Sequence, residues 1–290
     1  MGQLLVNILI GAAQGALTAY GLSLIYRVSR CVDFAQGVFY TVGAYLAYTY
    51  SVYCGLPLPL SIGLSSVSAA GIGGLVDGFL YKAIRNRTRS PLGVLIASLG
   101  VVAVVQGVIS LVFQDITRSL PRGSAVPGFL FLGGRVTESQ ITTAVATVVI
   151  AVGIWWVLKY TRFGLKMRAV SENRTLAAVV GIPSTGVIWR VAVIGSGLSG
   201  LAGALVSLET DMHPLVGNKA LLSAVLITLL AGPGRVWRIL LVALVLAGVE
   251  EGVGMHLSFL WKETAALLVV LAVLVLYPYG AHRKTLEAPS

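Results

Sequence analysis

The sequence contains few charged residues and very few acidic ones. Only 11% of its 290 residues are charged, whereas an ordinary soluble domain carries about 25%. Hydrophobic residues make up 57% of the chain. This composition excludes an ordinary soluble domain and indicates a chain that lies in a lipid bilayer.

The residue types that usually carry chemistry are also scarce. The sequence has no Gly-x-x-x-x-Gly-Lys-[Ser/Thr] loop to hold nucleotide phosphates. It also lacks, within its apolar runs, a His/Glu metal pair at helical spacing and a nucleophile with its base. The two cysteines, Cys31 and Cys54, fall in segments expected at opposite membrane faces, so no disulfide is expected between them. We therefore predict no catalytic residues, no metal site and no cofactor in this chain.

Long apolar runs predict an all-α integral membrane protein: a polytopic bundle of eight or nine transmembrane helices in a single domain, residues 1–290. Most runs approach the roughly 20 residues needed to cross about 30 Å of hydrocarbon. The weakest run, 220–231, precedes the helix breaker Gly232-Pro233-Gly234, and its alternative is a re-entrant hairpin. The runs cover residues 4–26, 34–54, 57–81, 92–113, 141–158, 187–208, 220–231, 239–257 and 264–278.

The positions of lysine and arginine predict the orientation, because basic loops are retained in the cytoplasm. With nine crossings, an external N-terminus and a cytoplasmic C-terminus, most of the 21 basic residues face the cytoplasm. The net charge of +10 then indicates orientation and contact with anionic lipid, and nucleic acid is not expected as a partner. The segment 114–140, rich in proline and glycine, is expected to form an ordered loop or short helices at the extracytoplasmic mouth.

The longest cytoplasmic interruption is the segment 159–190. Residues 170–180 predict one short helix within it, with Ser171 as N-cap and Gly181-Ile182-Pro183 as its end. A short, capped helix between two spans is typical of a docking element. The alternative is an ordinary connector held by anionic lipid. Its charged residues are Lys159, Arg162, Lys166, Arg168, Glu172, Arg174 and Arg190.

A second polar signal precedes the run 34–54. Asp33 and Gln36 have the spacing of an acidic capping box, in which a side chain closes the first turn of a helix. The same helix start has a functional interpretation. Helix N-termini in transporters point their positive dipole ends at anionic substrate groups, although Asp33 would partly cancel that field and suits an ammonium or amide N–H instead.

The other polar residues within or beside the runs have structural interpretations. Asp77, five residues before Lys82, is expected to form a local ion pair at the inner end of its helix. Glutamines 14 and 106 suit hydrogen bonds between helices, and the glycines of 195–203 suit close helix packing. Glu209, Asp211 and His213 are expected to form a solvated docking surface rather than a metal site. Glu250 and Glu251 are expected to be structural, with Lys262 as a candidate partner.

Four sequence motifs, in the same order along the chain, resemble the permease subunits of bacterial branched-chain amino acid ABC importers. The most extensive motif comprises Gly164-Leu165-Lys166-Met167-Arg168-Ala169 and the residues Asn173, Ala177 and Gly181-Ile182 that follow. The others are Gly21-Leu22-Ser23-Leu24-Ile25-Tyr26-Arg27 leading into Asp33-Phe34-Ala35-Gln36-Gly37, then Arg89-Ser90-Pro91-Leu92, and finally Tyr277-Pro278-Tyr279-Gly280.

The resemblance implies a multi-pass subunit of the bacterial inner membrane that acts with other proteins. It pairs with a second related permease, two ATPase subunits that bind ATP and Mg²⁺, and an extracytoplasmic solute-binding protein. The short cytoplasmic helix would couple the ATPases to the membrane helices, and the start of the run 34–54 would lie on the substrate path. The coupling candidates are Arg168, Ala169, Glu172, Asn173, Ala177, Gly181 and Ile182, and the path candidates are Asp33, Phe34, Gln36 and Gly37.

The solute stays open at this point. The usual family form has Asn and His where this chain has Asp33 and Gln36, so the resemblance by itself does not specify the solute. Branched-chain or other hydrophobic amino acids are the first expectation, and urea or a short amide is the alternative within the same class. A secondary transporter or channel is a more distant alternative, because it needs an ion or proton site in mid-membrane and the acidic residues lie toward helix ends.

Overall fold

The computed structural model describes residues 2–87, 91–120, 129–131, 134–256, 264 and 267–268, and these are mainly helical. Two helices continue into π-helical turns, Thr49–Tyr53 after α2 and Val76–Tyr81 after α3. The elements are α1 (Gly2–Ser29), α2 (Ala35–Tyr48), α3 (Leu58–Leu75), α4 (Lys82–Arg87), α5 (Pro91–Phe113), β1 (Phe129–Phe131), β2 (Gly134–Val136), α6 (Glu138–Tyr160), α7 (Arg162–Glu172), α8 (Arg174–Val179), α9 (Ser184–Val206), α10 (Val216–Ala231) and α11 (Val236–His256).

The helices follow the predicted apolar runs. Within the described residues, five helices are long and apolar enough to cross a membrane: Gly2–Ser29, Leu58–Arg87, Leu92–Phe113, Glu138–Tyr160 and Ser184–Val206. The weak run 220–231 is part of α10, which has 16 residues and is therefore about 24 Å long. Helices α2 and α11 match two further runs, whereas the run 264–278 lies almost wholly outside the described residues. A multi-pass helical membrane protein is confirmed.

Local sequence explains where several helices begin and end. Thr137 and Gln140 form a capping box at the start of α6, and the Thr137 N–H donates to Gln140 Oε1 at 3.0 Å. Helix α10 ends at Gly232, whose φ of 79° lies in the left-handed region that favours glycine. The breaker Gly232-Pro233-Gly234 thus forms the turn from α10 to α11.

Helix α9 is the centre of the packing, with α1, α2 and α3 against its small-residue face. A methyl group on Gly43 of α2 would overlap the backbone of Gly200, and one on Gly203 would overlap the carbonyl of Tyr40. Such backbone-to-backbone approaches are possible only where side chains are absent or very small. The predicted role of the glycines in close packing is confirmed at these crossings.

The segment 159–190 differs from its prediction. In place of one helix over 170–180, the chain forms α7 and α8, which meet at Asn173. The Asn173 side chain accepts hydrogen bonds from the N–H groups of Thr175 and Leu176 at 2.9 and 3.0 Å, so Asn173 and not Ser171 is the N-cap. Ser171 instead lies inside α7 and bonds the Arg168 carbonyl. The predicted end is correct, since Gly181 has φ 82°.

One end of the bundle is rich in basic residues, and the segment predicted for the other end contains a pair of short strands. We call the end where α1 and α6 finish and α7 and α8 lie the basic end; it carries Arg27, Arg30 and Lys159. The segment predicted as the extracytoplasmic loop contains the antiparallel pair β1–β2, so the expectation of a loop or short helices missed a β-hairpin. In the same segment, Arg118 forms a β-bridge with Met212.

Candidate functional site

The chain between α1 and α2 turns sharply and re-enters the bundle. Arg30 has φ 57° and its N–H bonds the Tyr26 carbonyl at 3.0 Å, which ends α1 with a left-handed residue. The following residues carry Asp33 inward, where only 6% of its surface is exposed. Asp33 is thus buried between the start of α2 and the π turn that carries Tyr81.

Asp33 is the centre of a buried polar cluster. Its carboxylate accepts hydrogen bonds from the Ala35 N–H at 3.1 Å, the Tyr81 hydroxyl at 2.9 Å and Gln36 Nε2 at 3.3 Å. The carboxylate therefore stabilises the first turn of α2, but from one position earlier than predicted, because Phe34 and not Asp33 is the N-cap. The reciprocal part of a capping box is not formed, because the Gln36 side chain bonds the Asp33 carboxylate rather than the Asp33 backbone N–H.

Gln36 extends this cluster to the central helix. The Ser199 hydroxyl donates to Gln36 Oε1 at 2.7 Å, and Gln36 is 3% exposed. Ser199 lies beyond the middle of α9 when counted from the basic end. The start of α2 is thus well inside the bundle, at the junction of α2, α9 and the π turn that carries Tyr81.

The other two path candidates have different contacts. The Phe34 N–H donates to Ser98 Oγ of α5 at 3.3 Å. Gly37 packs against the backbone of Gly217 in α10, where a Cβ would collide. The structure therefore joins Asp33 and Gln36 in one hydrogen-bonded cluster, while Phe34 and Gly37 connect the same turn to α5 and α10.

Sequence reasoning did not single out Tyr81 and Ser199 as partners in the polar cluster, or Ser98 as the partner of Phe34. Tyr81 ends an apolar run, and the two serines resemble the other small residues of their helices. A hydroxyl group in an apolar helix is a weak signal, because it also bonds its own preceding carbonyl, as Ser98 does with Leu95. Only the tertiary structure shows which hydroxyl groups form hydrogen bonds with Asp33 and Gln36.

An ion pair lies next to the cluster. Asp77 is 2% exposed and forms a bidentate pair with Arg85, at 2.7 and 2.9 Å. The predicted local ion pair is confirmed, with Arg85 rather than the nearer Lys82 as the cation.

Asp33, Asp77, Tyr81 and Arg85 line one cavity of about 20 Å³. This volume is about that of one water and far below that of a typical small-molecule site, so the cavity in this arrangement is too small for an amino acid.

Helices α7 and α8 form the second candidate site, a bracket across the basic end. Arg174 of α8 donates to the Val28 carbonyl at 2.5 Å, and Arg30 donates to the Ser171 carbonyl of α7 at 2.7 Å. Partial burial, and then the neighbouring guanidinium groups of Arg85 and Arg30, lower the pKa of Arg174. The bracket is thereby tied to the end of α1, through residues that lie five and three positions before Asp33.

The predicted coupling residues divide by burial. Ala177 is 5% exposed, and its carbonyl accepts the Ile182 N–H at 2.9 Å. Four hydrophobic side chains of the bracket are exposed: Leu165 and Leu176, each 62%, Val179, 80%, and Val180, 79%. We call these four residues the apolar patch. Among the other coupling candidates, Ala169 and Ile182 are half-buried, and Arg168, Glu172, Asn173 and Gly181 are exposed.

Several further predicted residues have structural contacts. Gln14 Nε2 donates to Glu209 Oε2 at 3.1 Å, and Gln106 Nε2 donates to the Pro214 carbonyl at 3.4 Å, as expected for glutamines between helices. Cys31 is buried and Cys54 is exposed, and neither forms a disulfide within the described residues. Over the described ranges, no three His, Cys, Asp or Glu residues are grouped so as to hold a metal ion. Asp211 and His213 are exposed, Glu250 and Glu251 are half-buried in α11, and Lys262 lies outside the described residues.

The long apolar helices define a multi-pass membrane protein. It has two candidate sites, the buried polar cluster around Asp33 and the bracket at the basic end. Residues 4–278 match the family described as the branched-chain amino acid transport system permease component. The chain belongs to this family of membrane permease subunits, which are not catalytic enzymes. The resemblance drawn from the sequence motifs is confirmed.

The similarity to individual relatives extends over most of this chain and most of each relative. The chain is 25% identical over 279 residues to the permease protein LivH of Escherichia coli K12, which covers 91% of this chain and 90% of LivH. It is 27% identical over 292 residues to BraD of Pseudomonas aeruginosa, covering 96% and 94%. Both are named high-affinity branched-chain amino acid transport system permease proteins. The ribose import permease protein RbsC of Bacillus subtilis is 26% identical over 288 residues, covering 93% of this chain and 84% of RbsC.

Proposed function

We propose that this chain is the membrane-spanning permease of an ATP-driven importer for branched-chain or other hydrophobic amino acids. The observation that carries the proposal is the apolar patch, which lies on the two short helices α7 and α8 and on the residue after α8, outside the long apolar helices. Grouped exposed hydrophobic side chains that are rimmed by polar residues are typical of an interaction surface. The patch is the proposed docking surface for two ATPase subunits, which bind ATP and Mg²⁺ in place of this chain.

The bracket also has the connections that a coupling element needs. The hydrogen bonds from Arg174 to Val28 and from Arg30 to Ser171 link both of its helices to the end of α1. From there, residues 31–33 lead directly to the buried polar cluster. A displacement of the bracket by a nucleotide-driven partner would therefore move the start of α2, where Asp33, Phe34, Gln36 and Gly37 are the proposed substrate-path residues.

The orientation and remaining partners follow from charge and family. Basic segments are retained in the cytoplasm, so the basic end is proposed to face the cytoplasm of a bacterial cell, with eight or nine crossings of the inner membrane. A second related permease completes the pathway, and an extracytoplasmic solute-binding protein delivers the solute to the opposite end. The names of LivH and BraD support amino acids as the solute. The similarity to RbsC makes a pentose the second candidate.

The docking proposal is tested with Leu176→Glu/Val179→Glu, which places two charges in the apolar patch. The chain is co-expressed with its ATPase subunits and purified by a tag on the permease. We expect the ATPases to be lost while the permease keeps its thermal unfolding profile. The matched control is Thr175→Glu, which adds a charge to an exposed position on the same helix without removing apolar surface. Full ATPase recovery and ATP-dependent uptake with the double variant would contradict the proposal.

The solute is tested separately in proteoliposomes that contain the permease pair, the ATPases and the binding protein. Labelled leucine is compared with ribose and urea. ATP-dependent leucine uptake in excess over the other two supports the first candidate, and preferential ribose uptake supports the second. Gradient-driven flux through this chain alone would instead indicate a secondary transporter or channel.

A further inference from the structure

The basic end contains a second, larger cavity, whose lining includes Arg168 of the bracket but no residue of the buried polar cluster. It has a volume of about 330 Å³ and lies between the ends of α1 and α6, the helix α7 and the turn from α10 to α11. This volume falls at the lower end of the range for small-molecule sites, about 300–1,000 Å³. The cavity is therefore large enough for a small polar group, unlike the one beside Asp33.

Positive charge dominates the cavity wall. Five basic side chains line it, and among its described lining residues there is no Asp or Glu. In the described part of the chain, none of the five has an ion pair within 4.0 Å. Glu172 is one carboxylate close enough to interact with Arg27, and Arg168 repels the same guanidinium. The five basic residues are Arg27, Lys159, Arg168, Arg235 and Arg238.

The backbone holds these charges together despite their repulsion. Arg27 donates to the Gly234 carbonyl at 3.2 Å, and the Gly234 N–H donates to Ser23 Oγ at 3.0 Å. The turn from α10 to α11 is thus fixed against α1, which keeps Arg235 and Arg238 on the cavity. Five neighbouring cations with one nearby carboxylate favour an anion between them, and guanidinium groups bind phosphate oxygens in bidentate geometry.

Two tryptophans place the cavity at the membrane surface. Trp155 of α6 and Trp237 of α11 both line it, and Trp237 is 50% exposed. Tryptophan prefers the boundary between hydrocarbon and headgroups, and the Lys159 amine lies 4.9 Å from the Trp155 ring centre. About one helical turn from these tryptophans on the same two helices, Val152 and Leu241 are 45% and 63% exposed, so the cavity residues are followed by exposed apolar side chains. A free anion would need no such surface, whereas a lipid needs both parts.

We propose that this cavity binds the phosphate headgroup of an anionic phospholipid, with the acyl chains along the exposed apolar surfaces of α6 and α11. The bound headgroup offsets part of the positive charge of the cluster and holds the α10–α11 turn to α1 and α7. The site depends on neither the solute nor the ATPases proposed above, so it stands or falls independently of the proposed function.

The test uses the purified full-length chain, delipidated in detergent, and measures binding by native mass spectrometry. Three probes are compared: phosphatidylglycerol, phosphatidylcholine and inorganic phosphate. The test variant is Arg235→Gln/Arg238→Gln. The matched control is Arg162→Gln/Arg190→Gln, which removes two exposed charges from the same end but outside the cavity.

We expect the chain to bind phosphatidylglycerol in preference to phosphatidylcholine. Each basic side chain near an anionic membrane contributes about fivefold to binding, so Arg235→Gln/Arg238→Gln is expected to weaken phosphatidylglycerol binding roughly 25-fold and the control less than about threefold. Equal binding of both lipids, or an equal loss in the two variants, would overturn the site.

Two further results would reassign the cavity. Inorganic phosphate that competes with phosphatidylglycerol at equal concentration would show a site for the free anion, and the lipid proposal would be wrong. Loss of ATPase co-purification in Arg235→Gln/Arg238→Gln, with unchanged lipid binding, would show a protein interface instead.

Discussion

The Tyr81 hydroxyl donates a 2.9 Å hydrogen bond to the carboxylate of Asp33, although the two residues are 48 positions apart. Both side chains are almost fully buried, at 4% and 6% exposure. A buried carboxylate is costly unless donors surround it, and here a tyrosine, a glutamine and a backbone N–H do so. The bond joins the start of α2 to the π turn after α3, next to the cavity that both residues line.

Tyr81→Phe keeps the ring and removes only the hydroxyl. Hydrogen bonds to charged groups contribute about 1.5–3 kcal/mol, so we expect unfolding in detergent at a lower temperature, with a loss of roughly 2 kcal/mol. The control is Tyr50→Phe, which removes a half-buried hydroxyl bonded to Ser68 at 2.9 Å and far from Asp33. Equal losses of stability in the two variants would show that the bond from Tyr81 to the Asp33 carboxylate contributes no more than an ordinary hydroxyl bond.

Asp33→Asn should be tolerated better than Asp33→Ala. The asparagine oxygen can keep the Tyr81 and Ala35 donors, and a flip of the Gln36 amide would turn its oxygen toward the new NH₂ group. Ser199 can then accept from Gln36 instead of donating, because a hydroxyl does both. We expect Asp33→Asn to retain stability within about 1 kcal/mol and Asp33→Ala to lose about 2–3 kcal/mol, as measured by thermal unfolding. The reverse order would exclude this hydrogen-bond exchange.

Gly43→Ala should prevent normal packing of α2 on α9, because its methyl group meets the backbone of Gly200. Overpacking costs about 1–3 kcal/mol even where side chains can move, and backbone moves less readily. The expected result is a low yield of monodisperse protein by size-exclusion chromatography. Gly153→Ala is the control, since open space surrounds that position within 4 Å and alanine favours a helix. Normal behaviour of Gly43→Ala would show that the helices can separate there at little cost.

Arg85→Ala leaves Asp77 buried without its cation. Breaking a buried ion pair costs about 3–5 kcal/mol, and partial exposure of Arg85, 18%, puts the expected loss at the low end. The double variant Asp77→Asn/Arg85→Ala should recover part of this loss, because the uncompensated charge is gone. Arg87→Ala, at an exposed position on the same helix, is the control. The double-mutant cycle in thermal unfolding measures the pair, and additive losses would rule out coupling.

Arg174→Gln tests the link between the bracket and α1. The variant loses the charged hydrogen bond to the Val28 carbonyl but keeps the apolar patch. We expect normal ATPase co-purification and ATP-dependent uptake reduced about tenfold or more. Arg190→Gln, exposed at the start of α9, serves as the control. Loss of ATPase binding in Arg174→Gln would place this residue in the docking contact rather than in the link.

The bracket shows which helix boundaries local sequence can predict. Gly181-Ile182-Pro183 predicted a helix end, and the glycine has the left-handed φ that such an end requires. The start was wrong because Ser171 and Asn173 are both good caps, and only the docking of α7 against the bundle decides between them. Met167 and Val170, each 1% exposed, bury one face of α7 and extend it through Ser171.

The sequence by itself determined the membrane location, most helix positions and the family, because these follow from apolar run length, breakers and local motifs along the chain. Asp33 was also identified from the sequence, as the cap of the helix that follows it and as a candidate on the substrate path. Its burial, its bond to Tyr81 and the link from Gln36 to Ser199 were decided only by the tertiary structure. These contacts join positions 48 and 163 residues apart, and they depend on backbone approaches at glycines that no local pattern specifies. The same holds for the five basic residues of the second cavity, which charge alone assigned to one face and only the fold brought together.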